Sequence, residues 1–134
     1  MARMIYVNLP VQDVEKSREF FGSLGFEFNA MFSDERSAAM VIEENIVVTL
    51  LEEARFKDFL KGEMSDAHTS TEVLLCLSAD SREEVDTMVK TALDNGGTAW
   101  KDPINEGPMY GGSFQDIDGH VWEILYMDAA ALGQ

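Results

Sequence analysis

The chain has 134 residues, 46% of them hydrophobic and 26% charged, which suffices for one compact domain or two small fused modules. Its formal net charge of −15 argues against nucleic acid as a partner, because phosphates would be repelled, whereas cationic ligands are permitted. No apolar run approaches the roughly 18 residues of a membrane span, and the single cysteine rules out an internal disulfide framework, so we expect a cytoplasmic protein without membrane contact.

The first third of the chain predicts a strand, a helix and three further strands. "MIYVNLPV" has the composition of a strand, and Asp13 is placed to cap a helix that Gly25 ends. Three short strands follow in "FEFNAMFS", "SAAMVIE" and "NIVVTLLE", separated by the turn signals "SDER" and "EEN".

The next stretch, "EARFKDFLKGEMSDAHTST", predicts a short helix in its first half and a polar linker in its second. After it the same order of elements starts again. "EVLLCLSA" is strand-like, and Ser81 with Glu84 forms a capping box for a helix that ends at Gly96 and Gly97. "TAWKDP", "GGSFQDI" and "HVWEILYM" then predict three strands.

This duplicated order predicts an α+β fold of tandem βαβββ modules within one domain, residues 1–134. Module 1 covers about 3–52, a linker 53–71, and module 2 about 72–128. Aligning the modules places Asn8 over Cys76 and Val48 over Glu123, with about seven extra residues in "DPINEGPMYGG".

Side chains alternate along a strand, so each module helix covers one face of its sheet and leaves the other face for a cleft. In the last strand, Trp122 and Ile124 suit the helix side, which leaves Glu123 facing the cleft. The remaining residues expected on the cleft face are Met4, Tyr6, Asn8, Ile46, Val48, Leu50, Leu74, Cys76, Ser78, Val121 and Leu125.

A carboxylate in a mostly apolar concavity is costly unless something compensates its charge. A cation, surrounding hydrogen-bond donors or a raised pKa would each serve, and the alternative is that Glu123 lies at an open edge and is solvated.

The doubled module pattern, the "SLGF" after the first helix and "FQDIDGHVWEILYMD" resemble the vicinal oxygen chelate superfamily. That superfamily includes glyoxalase I, bleomycin-resistance and fosfomycin-resistance proteins and extradiol dioxygenases. The resemblance covers about residues 3–128, with Ile117 in place of the family's proline. It implies sheets that curl around a shared cleft, and commonly a homodimer.

In metal-dependent members the resemblance implies ligands at positions that correspond here to Asn8, about Val48, Cys76 and Glu123. Val48 cannot bind a metal, and a slip of one residue would give Thr49, which is little better. Cys76 could bind as a thiolate, but a small cysteine in a strand is more often a core residue. Only Glu123 is a strong ligand, so we expect no cofactor, although an incomplete divalent-metal site centred on Glu123 stays open.

Other candidates are less specific. Tyr110 and Met109, before Gly111 and Gly112, form either the lid of a glycine-hinged flap or an ordinary loop. His120 is expected to be exposed beside the turn.

The resemblance therefore leaves three functions open. The first is a glyoxalase-like, lyase or isomerase enzyme with a degenerate metal site, in which Glu123 is the catalytic residue and Tyr6, Asn8, Cys76 and Tyr110 contact a small molecule. The second is a non-catalytic small-molecule binder of the bleomycin-resistance type. The third is an interaction module whose cleft is filled by its own side chains.

Overall fold

A computed structural model of the chain describes residues 3–128, which form two compact units, Met1–Ser65 and Asp66–Gln134. Each unit contains one open mixed sheet and a long helix packed on it. The α+β class and the tandem βαβββ order are therefore confirmed.

The elements of the first unit are β1 (Ile5–Val11), α1 (Val14–Ser23), β2 (Glu27–Phe28), a 3-10 turn (Ala30–Phe32), β3 (Ser37–Glu43), β4 (Ile46–Glu52) and the short helix α2 (Glu53–Lys57). Its sheet has the strand order β1-β4-β3-β2, with β1 parallel to β4 and the other pairs antiparallel.

The elements of the second unit are β5 (Leu74–Ala79), α3 (Arg82–Asp94), β6 (Thr98–Ala99), β7 (Ile104–Glu106), β8 (Met109–Gln115) and β9 (Val121–Met127). Its sheet repeats the topology of the first with the strand order β5-β9-β8-β6, and the further short strand β7 pairs with β8. Because β7 falls inside "DPINEGPMYGG", the predicted extra residues form a hairpin.

Both long helices begin where their capping residues predict. The Asp13 carboxylate accepts a hydrogen bond from the Lys16 N–H at 3.1 Å, and the Ser81 hydroxyl accepts one from the Glu84 N–H at 3.0 Å. The Glu84 side chain accepts in turn from the N–H of Asp80, so this capping box reaches one residue beyond the N-cap.

The second predicted strand, "FEFNAMFS", is mostly wrong, because β2 has only two residues and a 3-10 turn follows it. The Asn29 side chain accepts a hydrogen bond from the Met31 N–H at 3.0 Å. Such a local bond offers the backbone an alternative to the sheet ladder, which explains why the strand stops there.

The alignment of Val48 with Glu123 is also wrong. Parallel pairing places Val7 beside Val48 and Leu9 beside Leu50, and both β4 residues are buried in the core. Asn8 pairs with Thr49 as Cys76 pairs with Glu123, so Thr49 is the counterpart of Glu123. Because side chains alternate along a strand, an alignment error of one residue assigns every β4 side chain to the wrong face of the sheet.

Candidate functional site

The candidate site is a cavity of about 260 Å³ in the second unit, on the face of the sheet that α3 does not cover. On β9, Trp122 and Ile124 are buried and share the α3 side with Gly112, whose missing side chain leaves room for Val89 of that helix. Glu123 alternates with them and lines the cavity, half-buried.

Three strands bring polar side chains to the same point of this face. Glu123 is the parallel partner of Cys76 on β5 and the antiparallel partner of Ser113 on β8. The carboxylate is therefore flanked by a thiol on one side and a hydroxyl on the other.

The Ser113 hydroxyl is already engaged in hydrogen bonds with the main chain. It accepts from the Lys101 N–H at 3.1 Å and donates to the Lys101 carbonyl at 3.4 Å. These bonds hold the segment between β6 and β7 against β8, and they bring Lys101 and Asp102 to the rim of the cavity. Sequence reasoning missed Ser113 and Lys101, although alternation along β8 would have indicated Ser113.

The rest of the cavity wall is apolar. Ile104 and Met109 come from the β7–β8 hairpin and Leu125 from β9, while Gly111 leaves space because it has no side chain. One carboxylate among apolar groups favours a ligand with an apolar body and a hydrogen-bond donor or positive charge.

Cys76 is exposed at the cavity, so the core position that its small size favoured in the sequence is wrong. Partial burial raises the pKa of the Cys76 thiol, and the negative charge of Glu123 raises it further. Both effects disfavour the thiolate, which is the nucleophilic form of cysteine.

The other predicted site residues are placed as follows. Tyr6 and Asn8 lie on the same face of β1 in the first unit, and both are exposed. Tyr110 alternates with Met109 and Gly111 on β8, so its side chain lies on the α3 face rather than the Glu123 face. Neither alternative for this stretch, a glycine-hinged flap or an ordinary loop, is found, since Met109–Gln115 is one strand that pairs with β9 along its length.

His120 is buried, with 8% of its surface exposed, which contradicts the expected exposure. Its N–H donates to the Asp116 carboxylate at 3.0 Å, and its carbonyl accepts from the Asp116 N–H at 2.9 Å. The turn is covered further by Ala67 and His68, which lie against Gly119.

The residues at the metal-ligand positions do not fit a divalent metal. They are an amide and a hydroxyl in the first unit, Asn8 and Thr49, and a single thiol and a single carboxylate in the second, Cys76 and Glu123. Within residues 3–128, no three or more His, Cys, Asp or Glu side chains are grouped as a metal site requires.

A larger cavity of about 410 Å³ lies between α3 and β8, on the opposite side of the sheet. Its walls include Val85, Val89 and Leu93, and Lys90 at its rim is paired with Asp94 at 2.8 Å. The smaller cavity is the better candidate, because only there do chemically distinct polar groups from three strands converge.

Comparison with known proteins supports this fold. The family described as "Bleomycin resistance protein-like N-terminal" matches residues 3–42. No curated protein matches the chain. No helix within residues 3–128 is long and apolar enough to cross a membrane.

Three solved structures illustrate the similarity. Hypothetical protein SA1046 from S. aureus is 30% identical, with 94% of this chain and 95% of that one covered and a TM-score of 0.80. A glyoxalase/bleomycin resistance protein/dioxygenase family enzyme from Burkholderia phytofirmans PsJN is 20% identical, with 94% and 99% covered and a TM-score of 0.78. The fosfomycin resistance protein FosX from Listeria monocytogenes is 17% identical, with 98% of each chain covered and a TM-score of 0.68.

Proposed function

We propose that this chain belongs to the vicinal oxygen chelate superfamily of glyoxalase, bleomycin-resistance and dioxygenase proteins, and that it binds a small organic molecule in the cavity beside Glu123 without a divalent metal. The observation that carries the proposal is the convergence of Glu123, Cys76 and Ser113 on one apolar cavity. The cavity is smaller than the roughly 300 Å³ at which drug-sized sites begin, so its ligand is small.

Charge indicates the class of ligand. Glu123 and Asp102 outnumber Lys101 at the cavity, and the whole chain is strongly acidic. The ion pairs Arg36–Glu52, Arg55–Asp58 and Lys90–Asp94 do not involve Glu123. A small aromatic or aliphatic amine would bury its apolar body and supply the missing positive charge.

The experiment measures how a ligand protects Cys76 from alkylation. Because the chain has one cysteine, all alkylation of a cysteine occurs at this residue. Phenethylamine should slow alkylation by iodoacetamide more than uncharged 2-phenylethanol does. Glu123→Gln should abolish that preference, whereas Glu106→Gln, at an exposed acid on β7, should preserve it. If neither compound, nor any member of a wider amine panel, protects the thiol at saturating concentration, the binding proposal is wrong.

Metal content tests the second part of the proposal. Protein purified without chelators should contain only substoichiometric nickel, zinc, iron or manganese. One equivalent of any of these metals that Glu123→Gln removes would overturn the metal-free proposal and favour the glyoxalase-like alternative.

A second candidate function is metal-independent proton transfer, in the lyase or isomerase class, with Glu123 as the base. A half-buried carboxylate on an apolar wall supports it, because such a group can reach a carbon-bound proton of an enclosed molecule. Exchange of that proton with deuterated solvent, lost in Glu123→Gln, would distinguish turnover from binding alone.

We also propose that two copies of the chain associate. Edge strands β1 and β5 carry exposed apolar side chains, including Ile5 at 55%, Tyr6 at 59% and Leu74 at 52% exposure. Exposed apolar edges are normally covered in stable proteins. Sedimentation equilibrium should give twice the mass of the chain, and a monomer at micromolar concentration would contradict this.

A cytoplasmic location stays a prediction.

A further inference from the structure

In the β7–β8 hairpin, β7 and the turn after it have no counterpart in the first unit, whereas β8 corresponds to β3. β7 pairs with the first half of β8, with Ile104 opposite Gly111 and Glu106 opposite Met109. The hairpin turns at Gly107, whose φ of +59° suits glycine. Ile104 and Met109 line the cavity, so the position of the hairpin determines the width of the cavity on that side.

On the opposite face, three contacts attach this hairpin to α3. The Tyr110 hydroxyl donates to the Asp86 carboxylate at 2.5 Å, and the Arg82 guanidinium lies 5.0 Å from the centre of the Tyr110 ring. Arg82 also donates to the Asn105 side chain at 3.2 Å, which reaches β7 itself. We call Tyr110, Asp86, Arg82 and Asn105 the hairpin latch.

The two latch residues on α3, Arg82 and Asp86, are fixed by the packing of that helix. Arg82 and Asp86 lie one turn apart at the start of α3, beside the Ser81 cap. Between them Val85 is 1% exposed and packs on the sheet side of the helix. A displacement of the hairpin therefore breaks latch contacts before it moves α3. The hydrogen bond that Tyr110 donates to Asp86 also raises the pKa of the Tyr110 phenol, which favours the donor form.

We propose that Tyr110, Asp86 and Arg82 are positioning residues that hold the hairpin wall and thereby limit the size of the molecule admitted beside Glu123. This inference rests on the proposed binding function for its biological meaning, but its geometry stands independently. Tyr110 was predicted to contact the ligand directly; here it acts from the far face of the sheet, through Met109 and Ile104. The hairpin is thus a specificity element added to one module of the pair.

The test compares two reagents on Cys76, whose exposed side chain lines the same cavity. Methyl methanethiosulfonate is small, whereas N-(1-pyrenyl)maleimide is bulky enough to meet the hairpin wall as it approaches the thiol. In Tyr110→Phe and Asp86→Ala the ratio of bulky to small labelling rates should rise about two- to tenfold, the range that loss of one ordinary hydrogen bond produces in an opening equilibrium. Asp86→Asn keeps an acceptor oxygen and should restore the wild-type ratio.

Two controls separate positioning from a general loss of stability. Tyr126→Phe makes the same chemical change on the strand beside Tyr110 and should leave the ratio unchanged. Hydrogen exchange should accelerate at residues 104–111 in Tyr110→Phe, while the amides of α3 and β9 exchange as in the wild type. The double variant Tyr110→Phe/Asp86→Ala should match either single variant, because both remove one contact.

An unchanged labelling ratio in both Tyr110→Phe and Asp86→Ala would overturn the inference. So would an equal rise in Tyr126→Phe. Neither result affects the proposed binding function, which fails separately if no compound protects Cys76 in the wild-type protein.

Discussion

Asp116 shows how one side chain organises the turn before β9. Its carboxylate is 3% exposed, and it accepts hydrogen bonds from the N–H groups of Asp118 and His120 and from the Trp122 indole, at 2.9, 3.0 and 2.9 Å. Burial raises the pKa of the Asp116 carboxyl, and the His120 ring and the Trp122 N–H act in the opposite direction. The aspartate of this turn is therefore a structural acceptor rather than a cation ligand.

Replacing Asp116 with alanine should destabilise the protein by about 3 kcal/mol, because buried donors lose their acceptor. The measurement is urea unfolding followed by tryptophan fluorescence, to which Trp100 and Trp122 both contribute. Asp102→Ala, at an exposed acid of the same unit, is the matched control and should change stability by less than about 0.5 kcal/mol. Equal effects of the two changes would refute this role for Asp116.

At the same scale, the pKa of Cys76 reports the distance between its thiol and Glu123. Burial and the Glu123 charge both disfavour the thiolate, so Glu123→Gln should lower the pKa of the thiol while the burial effect remains. The rate of alkylation by iodoacetamide against pH should therefore have its midpoint at lower pH in Glu123→Gln than in the wild type. Glu106→Gln should not shift it, and an unshifted midpoint in Glu123→Gln would mean that the two groups are apart.

Among the elements, the packing of α3 on β8 depends on a glycine. A Cβ atom at Gly112 would lie 2.9 Å from the Val89 Cγ2 and 3.4 Å from the Val85 Cγ1, closer than van der Waals contact permits for the first. Gly22, near the end of α1, has no atom within 4 Å of the equivalent point. The two glycines thus have opposite roles: one allows close approach, and the other is replaceable.

Gly112→Ala should destabilise the protein by about 1–3 kcal/mol through overpacking between α3 and β8. Gly22→Ala should stabilise it by about 0.5–1 kcal/mol, because alanine loses less backbone entropy in a helix. Chemical denaturation of both variants and the wild type measures the two changes in the free energy of unfolding. Changes of the same sign in both variants would contradict the close packing of α3 on β8.

For the molecule as a whole, the dominant electrostatic fact is the formal net charge of −15. The ion pairs Arg36–Glu52, Arg55–Asp58 and Lys90–Asp94 are solvent-exposed, and pairs of that kind contribute little to stability. Mutual repulsion of acidic side chains should therefore outweigh the attraction within these pairs.

Adding sodium chloride from 10 to about 300 mM should raise the midpoint of thermal unfolding, since the Debye length falls from about 30 Å to below 8 Å and repulsion is screened. Differential scanning calorimetry measures the shift. Potassium chloride at the same ionic strength should give the same shift, because screening depends on ionic strength. A midpoint that falls with salt would show that attractive pairs dominate instead.

The sequence by itself determined the local features of this protein. Asp13 and Ser81 predicted both long helices, because a capping side chain satisfies backbone donors within its own first turn. Glycines at positions 25 and 96 predicted where they end, and both adopt positive φ, which few other residues tolerate. Alternation predicted the face of Glu123, since it depends only on neighbouring residues of β9.

Only the tertiary structure decided features that depend on partners distant in sequence. The counterpart of Glu123 is Thr49 rather than Val48, because pairing with β1 sets the register of β4. His120 is buried by the Asp116 turn, and Tyr110 is turned to Asp86 on α3. Lys101 reaches the cavity because Ser113, on another strand, binds its main chain. Local sequence patterns carry no information about which strand or helix packs against a given side chain. The candidate site depends on such contacts between elements that are distant in sequence.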